Sequence, residues 1–281
     1  MNIINFNDDQ FGLLIKDQIF EFTHHCQSRQ LLHAVEFISH QSEVQLSNLM
    51  RSSKPIALDA VKVNSPVKNP GKVVAAPINY KAHILEMQEN GQAFGHIITD
   101  IKKAGLFLKA PSSVVGPSHG IHQIFLDRRT DHEIELCAVI GKRCKNVSSD
   151  KALDHVLGYC LGLDITLRGP EDRSYRKSID TYTVLGPWLT LPSPEIDPEN
   201  IDLYLSVNGQ ARQETNTSDM VLSLRELIEY ASHFYTLEPG DVIMTGTPQG
   251  VGPIVPGDEI YAKATHLGEM KVSVWDGTQH V

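Results

Sequence analysis

Two glutamates stand one pleat apart in an otherwise apolar run, Asp131-His132-Glu133-Ile134-Glu135-Leu136-Cys137-Ala138-Val139-Ile140. Read as a strand, the run sends Glu133 and Glu135 to one face and Ile134, Leu136, Ala138 and Ile140 to the other. An E-x-E pair is ordinarily the solvated face of an antiparallel sheet. Buried together, two like charges need a cation or several donors to compensate them. A divalent ion is the natural compensator: Mg²⁺, Mn²⁺ or Ca²⁺ prefers oxygen ligands, and two carboxylates plus a third acid leave positions open for substrate and water. Asp164, flanked by apolar residues in Gly158-Tyr-Cys-Leu-Gly-Leu-Asp164-Ile-Thr-Leu, is the candidate third acid. His83 and Glu86 lie three apart on one face of a helical stretch, where a carboxylate can fix an imidazole tautomer and raise its basicity. Alone, such a pair is more often a surface contact of small energy.

The cations read less sharply. Lys109, between apolar neighbours in Phe107-Leu108-Lys109-Ala110, reads from the residues alone as a snorkelling surface lysine rather than a cation turned into a pocket. Arg168, Arg173, Arg176 and Lys177 are interleaved with Glu171 and Asp172, a pattern that fits a solvated loop. Thr245-Gly246-Thr247-Pro248-Gln249-Gly250-Val251-Gly252 is a strand entering a Gly/Thr turn whose N–H groups and hydroxyls suit an anionic oxygen.

The elements that must position these residues read mostly as β. Asn2–Phe6, Phe11–Ile15 and Gln18–Phe22 form a short meander with Asn7-Asp8-Asp9 and Lys16-Asp17 as turns. Leu31–Ser39 is a helix, followed by a polar stretch to about Lys54. The extended Lys62-Val-Asn-Ser-Pro-Val-Lys-Asn-Pro-Gly segment places a boundary near residue 70, dividing a small lobe, 1–70, from the main domain, 71–281. Ser149 starts a helix whose period runs through Leu153, His155, Val156 and Leu157, and a strand at Leu161–Leu167 follows. Asn208-Gly209 marks a type I′ hairpin, and Ser223 with Glu226 is a capping box opening an amphipathic helix.

With 281 residues, 41% hydrophobic and 21% charged, the chain has the composition of a soluble globular protein. A net charge of −9 argues against nucleic acid as a partner, so an anionic substrate must be met by local cations. Cys26, Cys137, Cys144 and Cys160 have neither metal-type spacing nor disulfide density and read as reduced thiols. No signal peptide or membrane span is apparent, which makes a cytoplasmic location the expectation.

Six motifs together carry a resemblance. Asn79-Tyr80-x-x-His83-x-x-Glu86, Lys109 with Ser112-Ser113, His132-Glu133-x-Glu135, Gly158-Tyr159 to Asp164, Lys177-Ser178-x-Asp180 with Leu185-Gly186-Pro187, and Thr245-Gly246-Thr247-Pro248-x-Gly250-Val251-Gly252 occur in this order. The chain resembles the fumarylacetoacetate hydrolase superfamily over roughly residues 70–280. The resemblance implies a mixed α+β, predominantly β fold, a β-sandwich roll with a small N-terminal α/β lobe, usually homodimeric. It also implies Mg²⁺ or Mn²⁺ on Glu133, Glu135 and Asp164, with His83 and Glu86 activating a water. Lys177 would steady a carboxylate or enolate, with Tyr80, Lys109 and Thr247 as substrate contacts. The implied activity is hydrolysis of a C–C bond in a small 2,4-dioxo acid of the acylpyruvate type. The alternatives are 2-oxo acid decarboxylation and hydration or isomerisation of hydroxydienoate or hydroxymuconate compounds. Two departures from the usual pattern are Leu163, where an Asn often precedes the metal aspartate, and a short Asp164–Lys177 segment.

Overall fold

The strand Ile134–Ile140, which carries Glu135 and begins directly after Glu133, is buried along its whole length. Its two faces enter different cores: Ile134, Leu136, Ala138 and Ile140 pack in one, Cys137 and Val139 in another. The solvated-face reading is therefore overturned, because neighbouring layers cover both sides. The computed structural model describes residues 1–94 and 100–280.

The fold is mixed α+β and predominantly β. Ile134–Ile140 lies between Val156–Asp164 and Val242–Met244 in an 11-stranded sheet. The pairing is antiparallel on both sides, with Cys137 opposite Cys160 and Met244. Val73–Ala75 and Phe107–Lys109 complete one end of the sheet. At the other end the N-terminal meander is annexed: Asn2–Phe6 pairs antiparallel with Thr183–Thr190. Ile3, Phe11, Leu13 and Phe22 accordingly share one apolar cluster with Val73, Cys137 and Met244.

A 5-stranded sheet, ordered Gln210–Asn216, Asp202–Val207, Glu259–Ala264, Gly268–Asp276 and Ile121–Gln123, covers the other face. Its Leu203, Leu205, Ile260, Ala262 and Val272 meet Ile134, Leu136 and Leu163 in the larger core. Burial of this many aliphatic side chains, each contributing about 1.5–3 kcal/mol, is what holds the two layers face to face.

Two local expectations are corrected. The polar stretch before Lys54 contains a helix, Glu43–Ser52, opened by a full Ser42/Gln45 capping box. Its Leu46, Leu49 and Met50, at i, i+3 and i+4, pack against the core that the N-terminal lobe shares with the main sheet. Val156 and Leu157 do not continue a helix: Ser149–Ala152 passes through one 3₁₀ turn and the strand begins at Val156. A continuous apolar run cannot be told from a buried helix by periodicity alone; here the run pairs with Ile134–Ile140 and Thr183–Thr190, and the missing Cβ of Gly158 leaves room for the Thr190 carbonyl. Other local signals match: Asn208 and Gly209 both have positive φ, as a type I′ turn needs, and Ser223/Glu226 cap Leu224–Phe234. All four cysteines are free thiols. Among the described residues no helix is long and apolar enough to cross a membrane.

Candidate active site

Glu133, Glu135 and Asp164 converge where the strand Ile134–Ile140 meets the end of Val156–Asp164, and one carboxylate oxygen of each lies within 4.8 Å of the others. All three are buried. Alternation along the strand places the glutamates together, while Leu163 turns into the opposite core. Leu163 is fully buried there among apolar neighbours.

The compensating cations come from the two segments whose burial the residues alone did not reveal. Lys109 is 2% exposed, not a surface lysine; its Nζ donates to Asp164 Oδ1 and, at 2.8 Å, to the Tyr182 carbonyl. Arg168–Lys177 is not merely a solvated loop either. Its short helix Arg173–Lys177 turns Lys177 inward, where Nζ donates to Glu133 Oε2 at 2.7 Å, Asp164 Oδ2 at 2.6 Å and Thr166 Oγ1 at 2.7 Å. Arg168 Nη2 donates to Glu133 Oε1 at 3.0 Å, and its Nε to the buried Asp131 at 2.7 Å.

These partners set the protonation states. Burial works to raise Glu133, but Lys177 and Arg168 override it and hold its carboxyl at about 2. Burial likewise disfavours the Lys177 cation, yet Asp164 and Glu133 outweigh it and raise its pKa, so it stays an ammonium ion. Glu135 goes the other way. Burial and the adjacent Asp164 push it well above the ordinary carboxylate range. Its Oε2 accepts from the Gly246 N–H at 2.7 Å, while its buried Oε1 has no hydrogen-bond partner among the described residues.

That orphaned oxygen fits a metal site. Three hard oxygen donors within reach of one divalent ion, one of them lacking a partner among the described residues, suit Mg²⁺ or Mn²⁺. The charge balance agrees: Glu133, Glu135, Asp164 and Asp131 against Lys109, Lys177 and Arg168 leave one negative charge when Glu135 is ionised. A divalent ion would make the centre a net monocation, suited to a monocarboxylate. Because burial and Asp164 disfavour the ionised form of Glu135, metal binding there is coupled to loss of a proton. Mn²⁺ affinity should therefore rise with pH from the ordinary carboxylate range up to the raised Glu135 value, by at most about tenfold per unit for one proton. Titration calorimetry in buffers of different ionisation enthalpy checks this; binding without proton release would refute it.

The helix Lys81–Phe94 supplies the acid–base pair. His83 Nδ1 bonds Glu86 Oε2 at 2.7 Å, and Glu86 Oε1 accepts from the Gly250 N–H at 3.0 Å. His83 is buried and near enough to Glu133 to help lower that carboxyl. The surface-pair reading of H-x-x-E thus fails, because the turn Thr245–Gly252 closes over Glu86. Gly250 has φ +87°, and any Cβ on it would strike the Arg212 carbonyl at 2.0 Å; only glycine lets the turn come this close.

Tyr80 and Thr247 flank the centre. Tyr80 is buried, with no hydrogen-bond partner on its hydroxyl among the described residues, and burial followed by the nearby Glu135 raises its pKa. Thr247 Oγ1 accepts from Gln213 Nε2 at 2.8 Å. All nine candidate residues therefore gather around one site. Asn79, Asp131, Arg168 and Gln213 also shape it: Asn79 ties Leu222 to the Thr245 carbonyl through both ends of its amide. Gln213 left no signal in the pattern of its own strand.

This arrangement, two-layered and β-rich with a three-carboxylate centre beside a histidine–glutamate pair, defines a class. Residues 72–275 match the C-terminal domain model of fumarylacetoacetate (FAA) hydrolase, and the chain belongs to that family. Within it, the chain is 42% identical to maleylpyruvate hydrolase of Aquipseudomonas alcaligenes, over 98% of this chain and 99% of that one. The crystal structure of maleylpyruvate hydrolase from Sphingobium sp. SYK-6, in complex with manganese(II) and pyruvate, superposes with a TM-score of 0.85 at 34% identity. That superposition covers 99% of this chain and 100% of that one. A 2-hydroxyhepta-2,4-diene-1,7-dioate isomerase from Mycobacterium marinum is similar at TM-score 0.67 and 30% identity, over 80% and 82%.

Proposed function

We propose that the protein is a metal-dependent hydrolase of the acylpyruvate type, cleaving a C–C bond in a 2,4-dioxo acid to give pyruvate and a carboxylate. The observation that carries this reading is the buried Glu133–Glu135–Asp164 cluster, with its orphaned Glu135 oxygen, set beside the His83–Glu86 pair. Full-length similarity to maleylpyruvate hydrolases, one solved with manganese(II) and pyruvate, supports it. When bound on the three acids, Mn²⁺ or Mg²⁺ would supply Lewis-acid polarisation of the 2-oxo acid.

The protein's own groups perform the remaining work. The bond to Glu86 assigns the Nδ1 proton of His83 and makes Nε2 the atom that accepts a proton from water. The water oxygen bonds to C4, the C3–C4 bond breaks, and its electron pair becomes the enolate of pyruvate, which then takes a proton at C3. Lys177, held cationic, stabilises that enolate, and the Thr247 hydroxyl donates to the substrate carboxylate. Lys109 acts from behind, by fixing Asp164. We place the protein in the cytoplasm as a homodimer, with residues 1–70 as an accessory lobe.

The isomerase-like neighbour keeps rearrangement of a hydroxydienoate as the second reading. Pyruvate release from acetylpyruvate, fumarylpyruvate, maleylpyruvate and oxaloacetate, each with Mn²⁺, Mg²⁺ or EDTA, tests both. Metal-dependent release from an acylpyruvate is expected. Release from oxaloacetate alone would move the assignment to a decarboxylase, and no release from any of them would turn it to the isomerase and hydratase substrates.

A further inference from the structure

Gln213 is 1% exposed, yet it sits on Gln210–Asn216, an edge strand otherwise exposed or half-buried. A register shift between Leu205 and Ser206 in the partner strand falls beside it, the kind of irregularity that re-aims a side chain next to a site. A primary amide offers two acceptor and two donor positions. All four are used. Oε1 accepts from the Ile134 N–H at 3.0 Å and from His132 Nδ1 at 3.1 Å. Nε2 donates to Thr247 Oγ1 at 2.8 Å and to the Pro248 carbonyl at 3.0 Å.

The orientation of the amide is fixed by two partners that have no choice of role. The Ile134 N–H can only donate and the Pro248 carbonyl can only accept, so oxygen must face Ile134 and nitrogen must face Pro248. Thr247 Oγ1 is then an acceptor toward Gln213. Its own proton is directed elsewhere, with no protein acceptor for it among the described residues. The same amide ties the backbone between Glu133 and Glu135 to the turn that carries Thr247.

We propose that Gln213 is a positioning residue that presents the Thr247 hydroxyl as a donor to the substrate carboxylate and sets its distance from the acid-bearing strand. This rests on the substrate contact assigned to Thr247 above. A hydrogen bond to a charged group accounts for roughly 10- to 100-fold in affinity. Gln213→Met should therefore raise KM for the acylpyruvate, and the Kd of pyruvate measured with saturating Mn²⁺, by about that factor, with a smaller fall in kcat. In a Thr247→Val background the same change should add little, since the hydroxyl it orients is gone.

Effects that add fully across the two positions, or a lowered Tm with KM and Kd unchanged, would overturn the proposal. Should Gln213→Met fail to fold, Gln213→Glu decides: it keeps the volume and both acceptor contacts but turns the Thr247 hydroxyl toward itself, and unchanged KM would count against the proposal. Wild-type protein that neither binds nor releases pyruvate would instead overturn the functional reading itself.

Discussion

His83→Ala is expected to cut turnover of the acylpyruvate by about a thousandfold while leaving Mn²⁺ affinity unchanged. The separation follows from the geometry. His83 bonds Glu86 and belongs to the helix Lys81–Phe94, whereas Glu135 and Asp164 lie on two strands of the main sheet and Glu133 directly precedes the first of them. Removing the imidazole takes away the proton acceptor but no oxygen donor. Glu133→Gln makes the complementary case. It deletes one of three ligand charges and leaves Lys177 and Arg168 facing a neutral amide, so metal affinity and turnover should both be lost. Calorimetric Mn²⁺ titration beside pyruvate release reads both variants. Near wild-type turnover in His83→Ala would sink the water-activation role, and undiminished Mn²⁺ binding in Glu133→Gln would remove Glu133 from the ligand set.

The acids were legible in the sequence because strand alternation is a strict geometric rule. Glu133 and Glu135 had to share a face, and Asp164 was an acid with no local partner. The H-x-x-E pair was legible for a similar reason on a helix. What local pattern could not supply was burial contributed by distant chain. Lys109 looks like a surface lysine until Asp164, 55 residues on, and the Tyr182 carbonyl close over it. Arg168 and Lys177 look like a solvated loop until Glu133, at the entry to the strand Ile134–Ile140, pairs with both. Gln213 is the extreme case: one inward residue on an exposed strand, with partners at His132, Ile134, Thr247 and Pro248, none of them nearby in sequence. The helix Glu43–Ser52 is the opposite failure. Its Leu46, Leu49 and Met50 have helical spacing, but the polar residues around them dilute the apolar stripe.

Lys177→Met should have the largest effect on the metal-free protein and an equally clear one on catalysis. Among the cations of the described residues Lys177 pairs with both Glu133 and Asp164, so its loss leaves two buried carboxylates with Arg168 and Lys109 beside them. Breaking a buried pair in this way costs about 3–5 kcal/mol. Part of that cost is relieved as Glu133, now held at about 2, takes up a proton at higher pH. The sign follows from linkage: a depressed carboxylate contributes stability above its unfolded value of about 4.5 that is lost as pH falls toward about 2. With that depression gone, the variant's deficit in urea unfolding should be full near neutral pH and shrink as pH falls through this window. Saturating Mn²⁺ should shrink it too, because a divalent cation can take over the neutralising role and no longer competes with the ammonium for Glu133 and Asp164. Catalysis should not recover with the metal. The enolate of pyruvate loses a fixed cation in a buried site, which is worth about 10²–10³ in kcat. A Lys177→Met protein that regains both stability and turnover with Mn²⁺ would reduce Lys177 to a charge-balancing element, and stability regained without turnover is the result this geometry requires.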